Sequence, residues 1–196
     1  MFDFYISQNN INVLNMLNAK YIIVPDEEEG TAVYTNEDAN GNAWFVEKVM
    51  PVASPDEEIL ALNQLDNKTM AITTDETLKN AFTVDSLASI TVLEYKPNYI
   101  KYDSKNLNEG FAVFSEMYYK EGWSAYVNGE LKPIHKVNYT LRGLKTPKGR
   151  SVIEFKFEPQ VVATGSTIAL VSSLVLLLLI VGGLFYEFKN SKKLSE

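Results

Sequence analysis

The chain has 196 residues, 46% of them hydrophobic, with a formal net charge of −7, one histidine and no cysteine. That length allows one real hydrophobic core with appendages rather than two full domains. The acidic balance argues against a nucleic-acid partner, and the lack of cysteine excludes a disulfide framework, a thiolate metal site and a cysteine nucleophile.

The opening MFDFYISQNN has neither a basic n-region nor an apolar h-region, so it does not read as a signal peptide. Asn10 is a candidate N-cap for a short helix with Ile11, Leu14 and Leu17 at helical spacing. The β-branched run 21–24, ended by Pro25, predicts a strand, and further strands at 32–34 and 43–49 flank the turn-rich NEDANGN. Ser54, Pro55 and Glu57 supply a cap, a first-turn proline and a Ser-x-x-Glu box, the best helix start in the sequence. KTMAITTDETLKNAF adds a strand and a short helix with Thr74 as its cap. The acidic runs 26–29 and 56–58 read as solvated turn and helix-start charges.

From Ser89 the pattern changes to short strands between turn signals, at 90–95, 99–102, 111–117, 123–127, 131–135, 137–141 and 152–157. Val137, Tyr139 and Leu141 would share one strand face, and Ile153, Phe155 and Phe157 another, with TPKG as the turn between them. Asn128-Gly129 is a type I′ hairpin signal, which would pair Val127 with Glu130, Tyr126 with Leu131 and Trp123 with Ile134. The expected fold is therefore α+β and mainly antiparallel: an α+β subregion over 1–88 packed with a β-sandwich-like subregion over 89–159.

After Pro159 the stretch 161–186 carries no charge. Twenty-six residues at about 1.5 Å each reach about 39 Å, enough to cross a hydrocarbon core of about 30 Å. Residues 187–196 form a short basic tail, whose Lys189, Lys192 and Lys193 place the C-terminus in the cytoplasm and the large domain outside. An exported domain without an export signal leads to the expectation that further membrane segments precede this sequence.

Few residues point to chemistry. His135 stands alone on a predicted strand and reads as structural. DANGN resembles half of a calcium loop, but its glycine comes early and Val49 stands where the bidentate glutamate belongs, so it reads as a turn. The triplets starting at Asn67 and Asn138 match the glycosylation acceptor pattern, which arises often by chance. EMYYKEGWSAYVNGELKP is richer: Tyr118, Tyr119, Trp123 and Tyr126 offer flat apolar area with polar tips, suited either to stacking on sugar rings or to a packed hairpin. No cofactor or metal is called for.

Five segments, VLNMLNAKYIIV (13–24), GNAWFVEKV (41–49), VFSEMYYKEGWSAYVNGE (113–130), VNYTLRGLKTPKG (137–149) and IEFKFEP (153–159), resemble in order and spacing the C-terminal end of YfhO-like bacterial membrane proteins. Glu121 departs from the family, where proline is frequent. The resemblance implies a large multi-span protein similar to membrane-embedded glycosyltransferases that use polyprenyl-phosphate sugars, some implicated in glycosylating envelope polymers such as lipoteichoic acid. It also implies that the catalytic carboxylates lie on loops between early spans, so no catalytic residue is carried over to this chain. The expected function is thus an extracytoplasmic accessory domain and last membrane helix of a bacterial inner-membrane protein. Its partners would be the lipid bilayer and, through the parent protein, a polyprenyl-linked sugar or envelope glycan. A membrane-anchored binding or scaffolding module without catalysis is the alternative.

Overall fold

The computed structural model describes residues 10–26, 30–78 and 80–193. The stretch before Asn10, most of the acidic run 26–29 and the side chains of the tail lysines lie outside the described residues. The chain divides into two units, 1–157 and 158–196.

The first unit opens with α1 (Ile11–Met16), where the Asn10 side chain accepts the Val13 N–H at 3.2 Å as an N-cap. β1 (Tyr21–Asp26) and β2 (Gly30–Thr35) form a separate antiparallel hairpin. β3 (Ala43–Val46) and β4 (Lys48–Pro51) follow, then α2 (Pro55–Ala61). Ser54 Oγ accepts the Glu57 N–H at 3.2 Å, while Glu57 reaches back to the Ala53 N–H at 3.0 Å, one residue ahead of the cap. β5 (Met70–Thr73) leads into a 3₁₀ turn (Glu76–Leu78). Asp75, not Thr74, starts that turn: its Oδ1 accepts both the Thr77 N–H and hydroxyl, at 3.0 and 2.6 Å. With β6 (Asn80–Ala81), β4 and β5 make a three-stranded sheet in the order β5-β4-β6.

The remaining strands build the sandwich: β7 (Ser89–Lys96), β8 (Tyr99–Asn106), β9 (Gly110–Met117), β10 (Trp123–Val127), β11 (Glu130–Lys132), β12 (His135–Val137), β13 (Leu141–Thr146) and β14 (Gly149–Phe157). One sheet has the order β11-β10-β14-β8-β7 and the other β12-β13-β9-β3, all antiparallel. Ile100, Tyr102, Phe114, Ala125, Leu144, Ile153 and Phe155 fill the space between them. Tyr102, Phe114 and Phe155 pack edge to face there, with Phe114 5.0 and 4.9 Å from the other two ring centroids. The other face of the β9 sheet puts Phe111, Val113, Val137 and Leu141 against α1, the region of α2 and the small sheet. Strand β9 is thus apolar on both faces, which explains its unbroken run GFAVF. The α+β, mainly antiparallel fold expected from the sequence is the one observed.

Two local expectations are corrected. Residues 137–141 are not one strand: Asn138 and Tyr139 have φ of 48° and 68°, a left-handed turn between β12 and β13. Asn138 Oδ1 accepts the Ile72 N–H at 3.0 Å, and the buried Glu58 accepts the Tyr139 N–H at 2.7 Å, so two other elements hold the turn, one through its backbone and one through a side chain. The hairpin has the expected type I′ turn, Asn128 and Gly129 having φ of 51° and 83°, and pairs Val127 with Glu130 and Tyr126 with Leu131. Its ladder stops at Ala125 with Lys132, just before Pro133, and Trp123 never meets Ile134 across it.

Among its described residues the second unit is one helix, α3 (Gln160–Lys193). Its Gln160–Tyr186 segment, 27 residues without a charged side chain, is long and apolar enough to cross a bilayer.

Candidate functional site: an aromatic groove beside the hairpin

Strand β9 ends at Met117, and a short loop, 118–122, returns the chain into β10 at Trp123. Trp123 lies opposite Phe157, the last residue of β14, with ring centroids 5.3 Å apart. Gly122 is required between them: a Cβ there would stand 2.2 Å from the Phe157 ring. The loop therefore folds around Phe157, and Tyr119 completes the set at 6.4 Å from the same ring.

Beside this loop a groove of about 490 Å³ opens, with Tyr118, Tyr119 and Trp123 as its aromatic lining. Lys120, Ser124 and Lys132 bring polar groups to it, and Leu131 and Pro133 of the hairpin add apolar surface. Lys132 also pairs with Glu130 at 2.8 Å. Flat rings beside ammonium and hydroxyl donors can hold a polar ring by stacking and hydrogen bonding. Tyr119 is 54% exposed and Trp123 half-buried, so the groove presents one free ring and one anchored ring.

The anchor is Arg142, which the sequence reading did not single out. It shares the inward face of β13 with Leu144, and only 2% of it is exposed. Its guanidinium lies 4.2 Å from the Trp123 ring centroid and 5.3 Å from that of Phe155, and Nε donates to the Met117 carbonyl at 2.9 Å. Burial pushes its pKa below the ordinary arginine value, while Glu116, Tyr102 and Tyr95 nearby pull it back. The signal available in the sequence was a lone charge inside LRGL, an otherwise apolar strand segment. Tyr126 is not part of the groove: it points to the outer face of its sheet, where the Lys156 ammonium lies 4.7 Å over its ring. Of the four aromatics expected at a site, the structure brings together Tyr118, Tyr119 and Trp123.

The other candidate groups are structural in their surroundings. His135 is half-buried beside Phe111, with Nδ1 3.4 Å from Asp75, and burial is the main cause of its lowered pKa. Glu58 is fully buried; desolvation raises its pKa, opposed by the Tyr139 N–H and by Lys136, whose Nζ is 3.5 Å away. Both triplet asparagines are buried: Asn138 is 0% and Asn67 5% exposed. Asn138 is bonded as above, and Asn67 donates to the Asn12 carbonyl while accepting from Asn40 at 2.8 Å. Neither side chain is presented for modification in the folded unit. In the DANGN stretch Asp38 pairs with Lys68 at 3.1 Å and Gly41 takes φ of 85°, as a turn does.

Comparison with protein families matches the model described as bacterial membrane protein YfhO over residues 58–169, more than half of the chain. The chain belongs to the YfhO family. No curated protein and no solved structure matches it. The YfhO match starts at the buried Glu58, spans β7 to β14, and ends inside the apolar helix. The groove, its Arg142 anchor and the start of the helix therefore all lie in the matched part, as do segments 113–130, 137–149 and 153–159. Family and helix together make this a membrane-anchored chain with a large domain outside the bilayer.

Proposed function

We propose that this chain is the extracytoplasmic accessory domain and adjoining membrane helix of a YfhO-family sugar transferase of envelope biogenesis, and that the groove holds a sugar ring of its glycan. The observation that supports this reading is the convergence of Tyr118, Tyr119 and Trp123 with Lys120, Ser124 and Lys132 on one open groove. The groove binds and positions; the bond-making carboxylates belong to other segments of the parent protein. A polyprenyl-linked sugar offers one hydrophilic ring at the membrane surface, which suits a shallow site with one free and one fixed aromatic.

Titration of the full chain in detergent micelles with soluble envelope sugars, followed by Trp123 fluorescence, tests the reading. A Trp44→Phe background removes the other tryptophan. Saturable binding in the millimolar range, about 4 kcal/mol, is expected, lost in Tyr119→Ser and kept in Tyr126→Ser. Equal loss in both variants, or no binding to any envelope sugar, would sink it.

A scaffolding role without catalysis has one observation of its own. Among the described residues the β1–β2 hairpin joins no larger sheet, and it exposes Tyr21, Ile23, Val33 and Tyr34 at 60–68%. Such a two-stranded ribbon is marginal alone. Site-specific photocrosslinking from Val33 in cells tests this reading, which requires one discrete protein adduct; a sugar-binding role alone yields none.

A further inference from the structure

Besides the core rings, five aromatic residues of the sandwich lie towards one end of its strands. Tyr119, Trp123 and Phe157 form one cluster, with Phe157 5.3 Å from Trp123 and 6.4 Å from Tyr119. On the neighbouring strands Tyr99 lies across from Lys156, and Tyr95, 59% exposed, lies across from Ile100. This is also the end at which the chain leaves for the membrane. Phe157 is the last residue of β14 and Gln160 the first of α3. Three residue steps span at most about 11 Å, by covalent geometry alone.

Tryptophan and tyrosine favour the layer where hydrocarbon meets water, because one part of the ring system is apolar and the other hydrogen-bonds. We propose that the Tyr119–Trp123–Phe157 end of the sandwich seats in the headgroup layer of the bilayer that α3 crosses, the lipid surface being its partner. Charge does not supply the attraction: Lys96, Lys101, Lys120 and Lys156 are matched in this region by Glu94, Glu121, Glu154 and Glu158. The contact is aromatic, and so insensitive to salt. It stands whether or not the groove takes a sugar, and it reaches beyond that reading by giving the domain a fixed seat on the membrane.

The test uses the full chain in phospholipid vesicles, with Trp44→Phe leaving Trp123 as the reporter. Lipids brominated near the headgroup are expected to quench Trp123 emission by about twofold or more, with the effect unchanged at high salt, and lipids brominated near the chain ends to quench it much less. A second variant carries Trp44→Phe, Trp123→Phe and Leu87→Trp. Leu87 is 68% exposed and precedes β7, whose first residue, Ser89, lies about 24 Å along the strand from Lys96; its emission should not respond to either lipid. The proposal is overturned if Trp123 ignores brominated lipid while remaining open to aqueous acrylamide, or if Leu87→Trp is quenched as strongly. It is also overturned if a soluble envelope sugar, and not lipid, is what shields Trp123 from acrylamide.

Discussion

Replacing Arg142 with alanine removes the support under the groove, and its cost can be worked from the contacts. The guanidinium makes one charge-assisted hydrogen bond to the Met117 carbonyl at 2.9 Å and lies over Trp123 at 4.2 Å and Phe155 at 5.3 Å. A hydrogen bond to a charged group contributes about 1.5–3 kcal/mol and a desolvated cation–π contact about 0.5–2 kcal/mol. Against these stands the cost of keeping a cation buried, which alanine relieves. We expect a net loss of about 2–4 kcal/mol in Arg142→Ala, the cavity adding to it. For a unit of this size that lowers Tm by roughly 5–15 °C, read by tryptophan-monitored melting of the full chain in detergent. Arg142→Met keeps the volume without the charge and should recover most of the stability, but not the sharp environment of Trp123, whose emission should shift red in both variants. If Arg142→Ala melts with the parent and leaves Trp123 emission unchanged, the arginine is not the anchor described.

Glu58→Gln keeps an acceptor for the Tyr139 N–H and removes the buried charge. Because the folded pKa of Glu58 is raised, its stabilising contribution is full below the unfolded value near 4.5 and is lost as pH rises through the folded value. Glu58→Gln should therefore gain on the parent as pH climbs from about 4.5 towards neutrality, in denaturation midpoints taken across that range; a gain that shrinks with rising pH would contradict the sign. Glu58→Ala, which leaves the Tyr139 amide unpaired, should cost about 1–3 kcal/mol instead. Gly143→Ala would place a Cβ 2.5 Å from the Phe111 ring and should cost about 1–3 kcal/mol in chemical denaturation, whereas Gly165→Ala, with nothing within 4 Å, should not affect the melting of the sandwich.

Much of the fold could be read from local chemistry. The Asn10 and Ser54 caps, the Asn128-Gly129 turn and the charge-free helix each depend on neighbours in sequence, and each formed where its residues indicated. What escaped depends on partners far along the chain. The strand pattern of Val137, Tyr139 and Leu141 is real in spacing, but Glu58 and Ile72, from other elements, hold the backbone in a left-handed turn instead. Alternation along β10 puts Trp123 and Tyr126 on opposite faces but does not say which face is covered; the opposing sheet decides that by placing Arg142 beneath Trp123. Lys120 and Lys132 join the groove only because the loop and the hairpin meet in space.

The side of the membrane on which the domain lies is the premise of the proposed role, and the absence of cysteine makes it directly measurable. Lys105→Cys, on an exposed position of β8, and Ser195→Cys, beyond the apolar helix, each give this chain one thiol for a membrane-impermeant maleimide in cells stripped of their wall. The account predicts labelling of Lys105→Cys before lysis and of Ser195→Cys only after it. The reverse pattern would place the groove in the cytoplasm, away from any envelope glycan, and would contradict the account.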